Sequence, residues 1–197
     1  WTLPIIHGLG CAGHGIIIIY SIPIAVEQGI SLTAAAFILA LISIFSITGR
    51  FITPIVAERF GGKPIMATAL FIQGITVLVL FWAHDAWTFY LFGALFGLGF
   101  GGEMSAYLVV NRQYYGTGPL STFYGFEMMG AQLGHAVATL LGGLAIYATG
   151  SFNPALGLSM AFSFVGVLVI LNLESTKRVL VPPWEESLPA AARAAPV

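Results

Sequence analysis

Long apolar stretches separated by short polar breaks run along the whole chain. Each stretch is close to or above the ~20 residues that a helix needs to cross a bilayer. The breaks hold turn-forming or charged residues, such as Gly61-Gly62-Lys63-Pro64 and His84-Asp85. The predicted spans are about residues 3–26, 32–59, 64–83, 86–115, 120–148 and 154–173. The pattern therefore predicts an all-α membrane protein with six transmembrane helices.

The ends of the chain differ in character. The first residue is Trp1 rather than Met, and the sequence is apolar from there on. We therefore interpret the chain as part of a longer protein, with a six-helix transmembrane part at residues 1–178. Residues 179–197 hold two adjacent prolines, an acidic pair and several alanines, and we expect them to form a disordered cytoplasmic tail.

Composition supports a membrane protein and excludes several other classes. Hydrophobic residues make up 58% of the chain and charged residues 8%, with a mean hydropathy of +0.93. A soluble domain has about 25% charged residues, so this chain cannot cover a soluble surface. An ordinary cytosolic enzyme, a nucleic-acid binder and a disordered segment are excluded. The single cysteine, Cys11, excludes a disulfide framework and a cysteine-based zinc site, and we expect neither metal nor cofactor.

Charges that flank the spans predict the orientation in the membrane. On one side are five cations and on the other none. The five cations are Arg59, Lys63, Arg112, Lys177 and Arg178. The opposite side holds Glu27, His84 and Asp85. The positive-inside rule then places both chain ends in the cytoplasm. We expect a multi-pass protein of the cell membrane, that is, an inner or plasma membrane.

Glycines recur every four residues inside two spans. Span four carries Gly93, Gly97 and Gly101, and span five carries Gly130 and Gly134. Small residues at this spacing let helix backbones approach closely. The rows indicate a tight helix bundle.

Ionisable side chains lie inside spans one, two, four and five, and are absent from spans three and six. They are His7, His14, Arg50, Glu103, Glu127 and His135. A charged group costs ~2.5–3.5 kcal/mol in the hydrocarbon core on insertion scales, so such residues face a bundle interior or a wet cavity. We therefore predict that spans one, two, four and five surround a cavity and that spans three and six face lipid.

Each of these residues has a functional and a structural interpretation. Arg50 binds or gates an anionic substrate, forms a static pair with Glu103 or Glu127, or extends its guanidinium to the membrane surface. Both glutamates are candidates for proton coupling or for that ion pair. His14 and Tyr20 are candidate substrate-binding residues, and packing is the alternative for both. For His135 the alternatives are packing and a proton or ligand role.

One cytoplasmic loop resembles a known family motif. The stretch from Gly49 to Lys63 is similar to the major facilitator pattern G-x-L-A-D-R-x-G-R-K. It departs from that pattern at Pro54, Glu58 and Gly62. Stretches at 23–31, 103–116 and 123–125 resemble the second half of monocarboxylate-transporter-like and oxalate:formate-antiporter-like members. The resemblance covers about residues 1–178.

The resemblance implies the C-terminal six-helix half of a twelve-helix bundle, so we expect a preceding N-terminal half. It implies that Arg50 binds or gates a carboxylate. It also implies that a cytoplasmic gating motif contains Glu58, Arg59, Gly61 and Lys63. Two departures from the resembled members concern, in turn, their Arg–Asp proton-coupling scheme and the substrate. Ser46 stands where animal monocarboxylate transporters carry an Asp, and Glu127 lies on the helix where the oxalate exchanger carries a lysine. Oxalate is therefore not favoured.

The leading functional hypothesis is a secondary active transporter of a small monocarboxylate, working by alternating access, with the proton as candidate coupling ion. A major-facilitator transporter of a non-anionic substrate is the alternative, followed by a channel or structural membrane subunit. An enzyme is not expected, because the chain has no H-E-x-x-H motif and no serine–histidine order that suits a rhomboid-type protease. The expected partners are a small molecule and membrane lipid, without nucleic acid.

Overall fold

The computed structural model describes residues 1–116 and 120–176, which contain six long α-helices and no strand. All six segments are long and apolar enough to cross a membrane. The helices are α1 (Thr2–Glu27), α2 (Leu32–Phe60), α3 (Gly62–Thr76), α4 (Ala86–Tyr115), α5 (Leu120–Thr149) and α6 (Asn153–Leu171). The all-α, six-helix prediction is confirmed. The predicted tail at 179–197 lies outside the described residues, as do Lys177 and Arg178, and the division at residue 178 stays a prediction.

The third span is not one uniform α-helix. After Thr76, α3 continues as a 3-10 segment, Val77–Phe81. The two parts together cover 20 residues, which is enough to span the hydrocarbon core.

Polar residues and glycines determine where the helices begin and end. The Asp85 carboxylate accepts hydrogen bonds from Thr88 N at 3.1 Å and Thr88 Oγ1 at 2.6 Å, which caps α4. These bonds lower the pKa of Asp85 below its usual value. Gly61, with φ of +91°, ends α2 and lets the chain reverse into α3, a conformation that other residues rarely adopt.

Helix pairing follows an internal symmetry. The most extensive contacts join α2 to α4 and α1 to α5, followed by α3 with α4, α1 with α6, and α3 with α6. Exchanging the first three helices with the last three maps this set of pairs onto itself. Such a pattern is expected of two inverted three-helix repeats.

The glycine rows lie at the two most extensive helix contacts. A Cβ built on Gly101 would lie 1.9 Å from Ser46 O on α2, and one on Gly97 would lie 2.6 Å from Ile42 O. A Cβ on Gly134 would lie 2.1 Å from Gly8 O on α1. The prediction of close backbone packing is confirmed.

The two ends of the bundle carry different polar contacts. At one end, His84 Nδ1 lies 2.8 Å from Gln28 Oε1. At the other, Lys63 Nζ donates to the backbone oxygens of Leu171 and Leu173, at 3.0 and 2.5 Å. The loop between α2 and α3 is thereby attached to the end of α6.

Candidate functional site

The carboxylate of Glu103 is at the centre of a buried polar cluster between α1 and α4. Its side chain is fully buried. Oε1 accepts a hydrogen bond from Tyr107 Oη at 2.7 Å, and Oε2 lies 3.2 Å from His14 Nδ1. Gly10 makes room for it, because a Cβ there would lie 1.7 Å from Glu103 Oε1. Both carboxylate oxygens therefore have partners inside the bundle.

Further polar groups extend this cluster along α1. The His14 ring centroid lies 5.3 Å from that of His135 on α5. Two turns before His14, the ring of His7 stacks on Tyr107 with centroids 3.8 Å apart. The structure thus brings His14, Glu103 and His135 together across three helices.

Arg50 lies on an exposed face of α2, beside the same cluster. Its guanidinium carbon is 6.0 Å from the ring centroid of Phe100. The same Phe100 ring lies 4.6 Å from the ring of His14, so it is a neighbour of both residues. No carboxylate among the described residues comes within 4.0 Å of the Arg50 guanidinium. Glu103 and Glu127, the two proposed ion-pair partners, instead contact His14 and Asn111.

Glu127 belongs to a second polar group nearer the start of α5. Its side chain is 1% exposed, and Oε2 accepts a hydrogen bond from Asn111 Nδ2 at 2.5 Å. Oε1 has no hydrogen-bond partner among the described residues. Glu127 also borders a cavity of about 210 Å³. The cavity is lined by Trp1, Leu3, Pro4, Asn111, Tyr115, Phe123, Phe126 and Glu127.

The other predicted site residues lie apart from these two groups. Tyr20 packs near Phe152, with ring centroids 6.1 Å apart, toward the far end of α1. The gating stretch lies at the junction of α2 and α3, where Lys63 contacts the end of α6 and Glu58 is exposed. The Arg59 guanidinium carbon is 5.6 Å from the centroid of the neighbouring Phe60 ring.

Sequence reasoning did not single out four residues that the structure places in the polar groups. They are Cys11 and Phe100, which lie beside His14, and Tyr107 and Asn111, which bond to Glu103 and Glu127 respectively. A signal existed for two of them, since Tyr107 and Asn111 follow Glu103 by one and two helical turns and share its face. No sequence spacing shows that this face meets α1.

The fold and these groups define a class: an integral, multi-pass helical bundle whose ionisable side chains converge inside it. The family follows from the sequence itself. Residues 5–196 match the Major Facilitator Superfamily, so the chain belongs to that superfamily of secondary transporters. This membership places it with transporters rather than with enzymes. No curated protein matches the chain.

Proposed function

We propose that this chain belongs to a secondary active transporter of a small organic anion of the monocarboxylate class. Transport would proceed by alternating access of two six-helix halves around a midplane site, with an N-terminal half preceding this chain. The protein would lie in an inner or plasma membrane, with both chain ends in the cytoplasm.

The observation that carries the proposal is that Arg50 lies inside a span, is exposed, and has no carboxylate partner among the described residues. A guanidinium about nine residues inside the cytoplasmic edge of a span is costly without an anion near it. The described residues supply no carboxylate to it, and its side chain is exposed on the helix face. A substrate carboxylate fits the bidentate fork of an arginine. Phe100 beside it offers an apolar surface to the rest of a small acid.

For the coupling proton, Glu127 is the better of the two candidate carboxylates. Both oxygens of Glu103 contact polar groups of the protein. Glu127 has one oxygen bonded to Asn111 and borders a cavity from which a proton could arrive. Tyr115 is the other titratable side chain that lines this cavity, and its hydroxyl is neutral at physiological pH. We therefore assign proton exchange to Glu127 and propose that Glu103 holds His14.

The loop between α2 and α3 would act as the cytoplasmic gate. Lys63 attaches this loop to the last carbonyls of α6, and Gln113 Oε1 accepts a hydrogen bond from Gly62 N at 2.9 Å. These contacts link the motif to the ends of α4 and α6. Because these contacts lie within one half, they would hold the motif in place on this half while the two halves rock against each other.

Uptake into proteoliposomes tests the proposal. The protein is the full chain with any segment that precedes Trp1, and the probes are labelled small monocarboxylates with and without an inward proton gradient. We expect uptake that follows the gradient, is lost in Arg50→Ala and is strongly reduced in Arg50→Lys, because an ammonium cannot form the two parallel bonds. Arg112→Ala removes an exposed cation at a helix end and should keep uptake.

Three outcomes would overturn parts of this proposal. Full carboxylate uptake by Arg50→Lys would exclude the bidentate anchor. Uptake that is equally gradient-dependent in Glu127→Gln would exclude Glu127 as the proton carrier. If the folded wild-type protein takes up no carboxylate, Arg50 has a structural role instead.

A non-anionic substrate is the second candidate, and the cavity at Glu127 favours it. Aromatic rings of Tyr115 and Phe123, stacked with centroids 4.2 Å apart, border this cavity together with a carboxylate. Aromatic faces and a carboxylate suit an organic cation. Uptake of a labelled organic amine that is lost in Glu127→Gln and kept in Arg50→Ala would support an organic cation as the substrate.

A further inference from the structure

Three potential metal ligands meet between α1 and α5. The Cys11 sulfur and one ring nitrogen each of His14 and His135 all lie within 4.8 Å of one another. Cys11 and His14 are three residues apart on α1 and therefore share one face of that helix. Cys11 and His14 are each 1% exposed, and His135 is partly buried. The three side chains come from positions up to 124 residues apart in the sequence.

A hydrogen bond already orients one of these ligands. Glu103 Oε2 lies 3.2 Å from His14 Nδ1, so a metal on this ring would be bound through its other nitrogen, Nε2. A histidine that ligates a metal almost always bonds a carboxylate or carbonyl through its other ring nitrogen, which fixes the tautomer and the ring orientation. The contact between Glu103 and His14 has this form. It is a second observation in favour of a metal site, separate from the short distances between the three ligands.

We propose that Cys11, His14 and His135 bind a single Zn²⁺ ion, with Glu103 as the carboxylate that orients His14. One thiolate and two imidazoles are a donor set that suits zinc. Zinc bonds of about 2.3 Å to sulfur and about 2.0–2.1 Å to nitrogen place tetrahedral ligand atoms about 3.4–3.6 Å apart. The three ligand atoms, which lie within 4.8 Å of one another, would have to move together by about 1 Å to reach that geometry.

Three protein ligands leave a fourth tetrahedral position for water. The ion would connect α1 to α5, two helices that are already packed closely through Gly134 and Gly8. The expectation of no metal was based on the cysteine count. That count excludes sites made of several cysteines, but it does not exclude one cysteine joined by two histidines.

Metal binding can be measured on the purified full chain in detergent, after removal of any histidine tag and treatment with a chelator. We expect one Zn²⁺ per chain by elemental analysis after a gel-filtration step. Titration with Co²⁺ should produce visible absorption bands together with a thiolate-to-cobalt charge-transfer band, since the site contains sulfur. Added Zn²⁺ should raise the melting temperature of the wild-type protein, because an ion that binds only the folded state stabilises it.

Variants test two of the three ligands and the carboxylate that orients the third. Cys11→Ser should lose the charge-transfer band, and His135→Gln should lose stoichiometric Zn²⁺. Glu103→Gln should weaken affinity about 10–100-fold, as is typical when an outer-shell carboxylate is altered. His84→Gln is the matched control, because His84 is an exposed loop histidine that contacts Gln28 at the end of the bundle, and it should bind as wild type does.

Three results would overturn the proposal. They are no zinc on a folded wild-type protein, stoichiometric zinc that persists in both Cys11→Ser and His135→Gln, and cobalt spectra without a thiolate band. Should Cys11→Ser fail to fold, the Co²⁺ spectrum of the wild-type protein and the zinc content of His135→Gln give the answer, since both measurements leave Cys11 in place. None of these readouts depends on uptake, so failure of the carboxylate proposal would leave them unaffected.

Discussion

Substitution of Gly101 by alanine tests how closely the backbones of α2 and α4 pack together. A Cβ at this position would lie 1.9 Å from Ser46 O and 2.6 Å from Ser46 C and Cα, all backbone atoms that cannot rotate away. Ordinary contact begins near 3.4 Å. The helices must therefore separate by about 1.5 Å along this direction, in an interior packed as densely as an organic crystal.

The size of the effect follows from that displacement. Adding a methyl group to a well-packed interior costs about 1–3 kcal/mol when side chains can adjust. Since backbone must move here, we expect Gly101→Ala at or above the upper end of this range. The measurement is thermal or denaturant unfolding of the purified protein in detergent, followed by intrinsic fluorescence of its four tryptophans.

Gly157→Ala is the matched control for this experiment. Gly157 is also a helical glycine, on α6, but a Cβ there would meet no atom within 4 Å. Alanine at a helix position that accepts it stabilises by about 0.4–1 kcal/mol through the unfolded chain. We therefore expect the control to melt at or above the wild-type temperature. If Gly101→Ala melts with the control, the close approach of α2 to α4 does not exist in the folded protein and the reasoning is refuted.

Three further predictions concern two side-chain contacts and the orientation in the membrane. Tyr107→Phe removes the 2.7 Å bond to Glu103 and leaves a buried oxygen without that partner, which should cost about 1–3 kcal/mol in the same unfolding assay. An unchanged midpoint would show that the bond contributes nothing. Lys63→Met removes both bonds to the end of α6, so limited proteolysis should cleave the chain faster near residue 173. An unchanged cleavage rate would argue against that attachment. His84→Cys, made in a Cys11→Ser background, should react with a membrane-impermeant maleimide only from outside the cell, and labelling only from the cytoplasm would invert the proposed topology.

Parts of the fold could be predicted from the sequence because a bilayer imposes its own length scale. Six apolar segments of about 20 residues or more specify six spans whatever their arrangement. The glycine rows also predicted contact surfaces, since small residues every four positions leave one smooth face on a helix. The rows did not show which helix each one meets, and that required the pairing of α4 with α2 and of α5 with α1.

The candidate site was predictable only as a set of residue types. Arg50, Glu103 and Glu127 are conspicuous because charge inside a span is costly. Arg50 and Glu103 lie nine residues before Arg59 and Arg112, at a similar depth, so an ion pair between them was possible. In the structure Arg50 instead faces the ring of Phe100, Glu103 contacts the ring of His14, and Glu127 contacts the amide of Asn111. Depth is one coordinate, and a contact also requires the rotation of each helix about its axis.

The sequence alone therefore determined that this is a six-helix membrane protein with ionisable side chains on four of its spans, because hydropathy and charge are properties of single residues. Tertiary structure decided which of these side chains share an interior. Helices α1 and α4 cross where Gly10 leaves space for Glu103, and this crossing brings His14 to a carboxylate 89 residues away. Packing of α5 on α1 then adds His135 to His14 and Cys11. Such contacts depend on how separate helices fit against one another, which no local pattern in the sequence records.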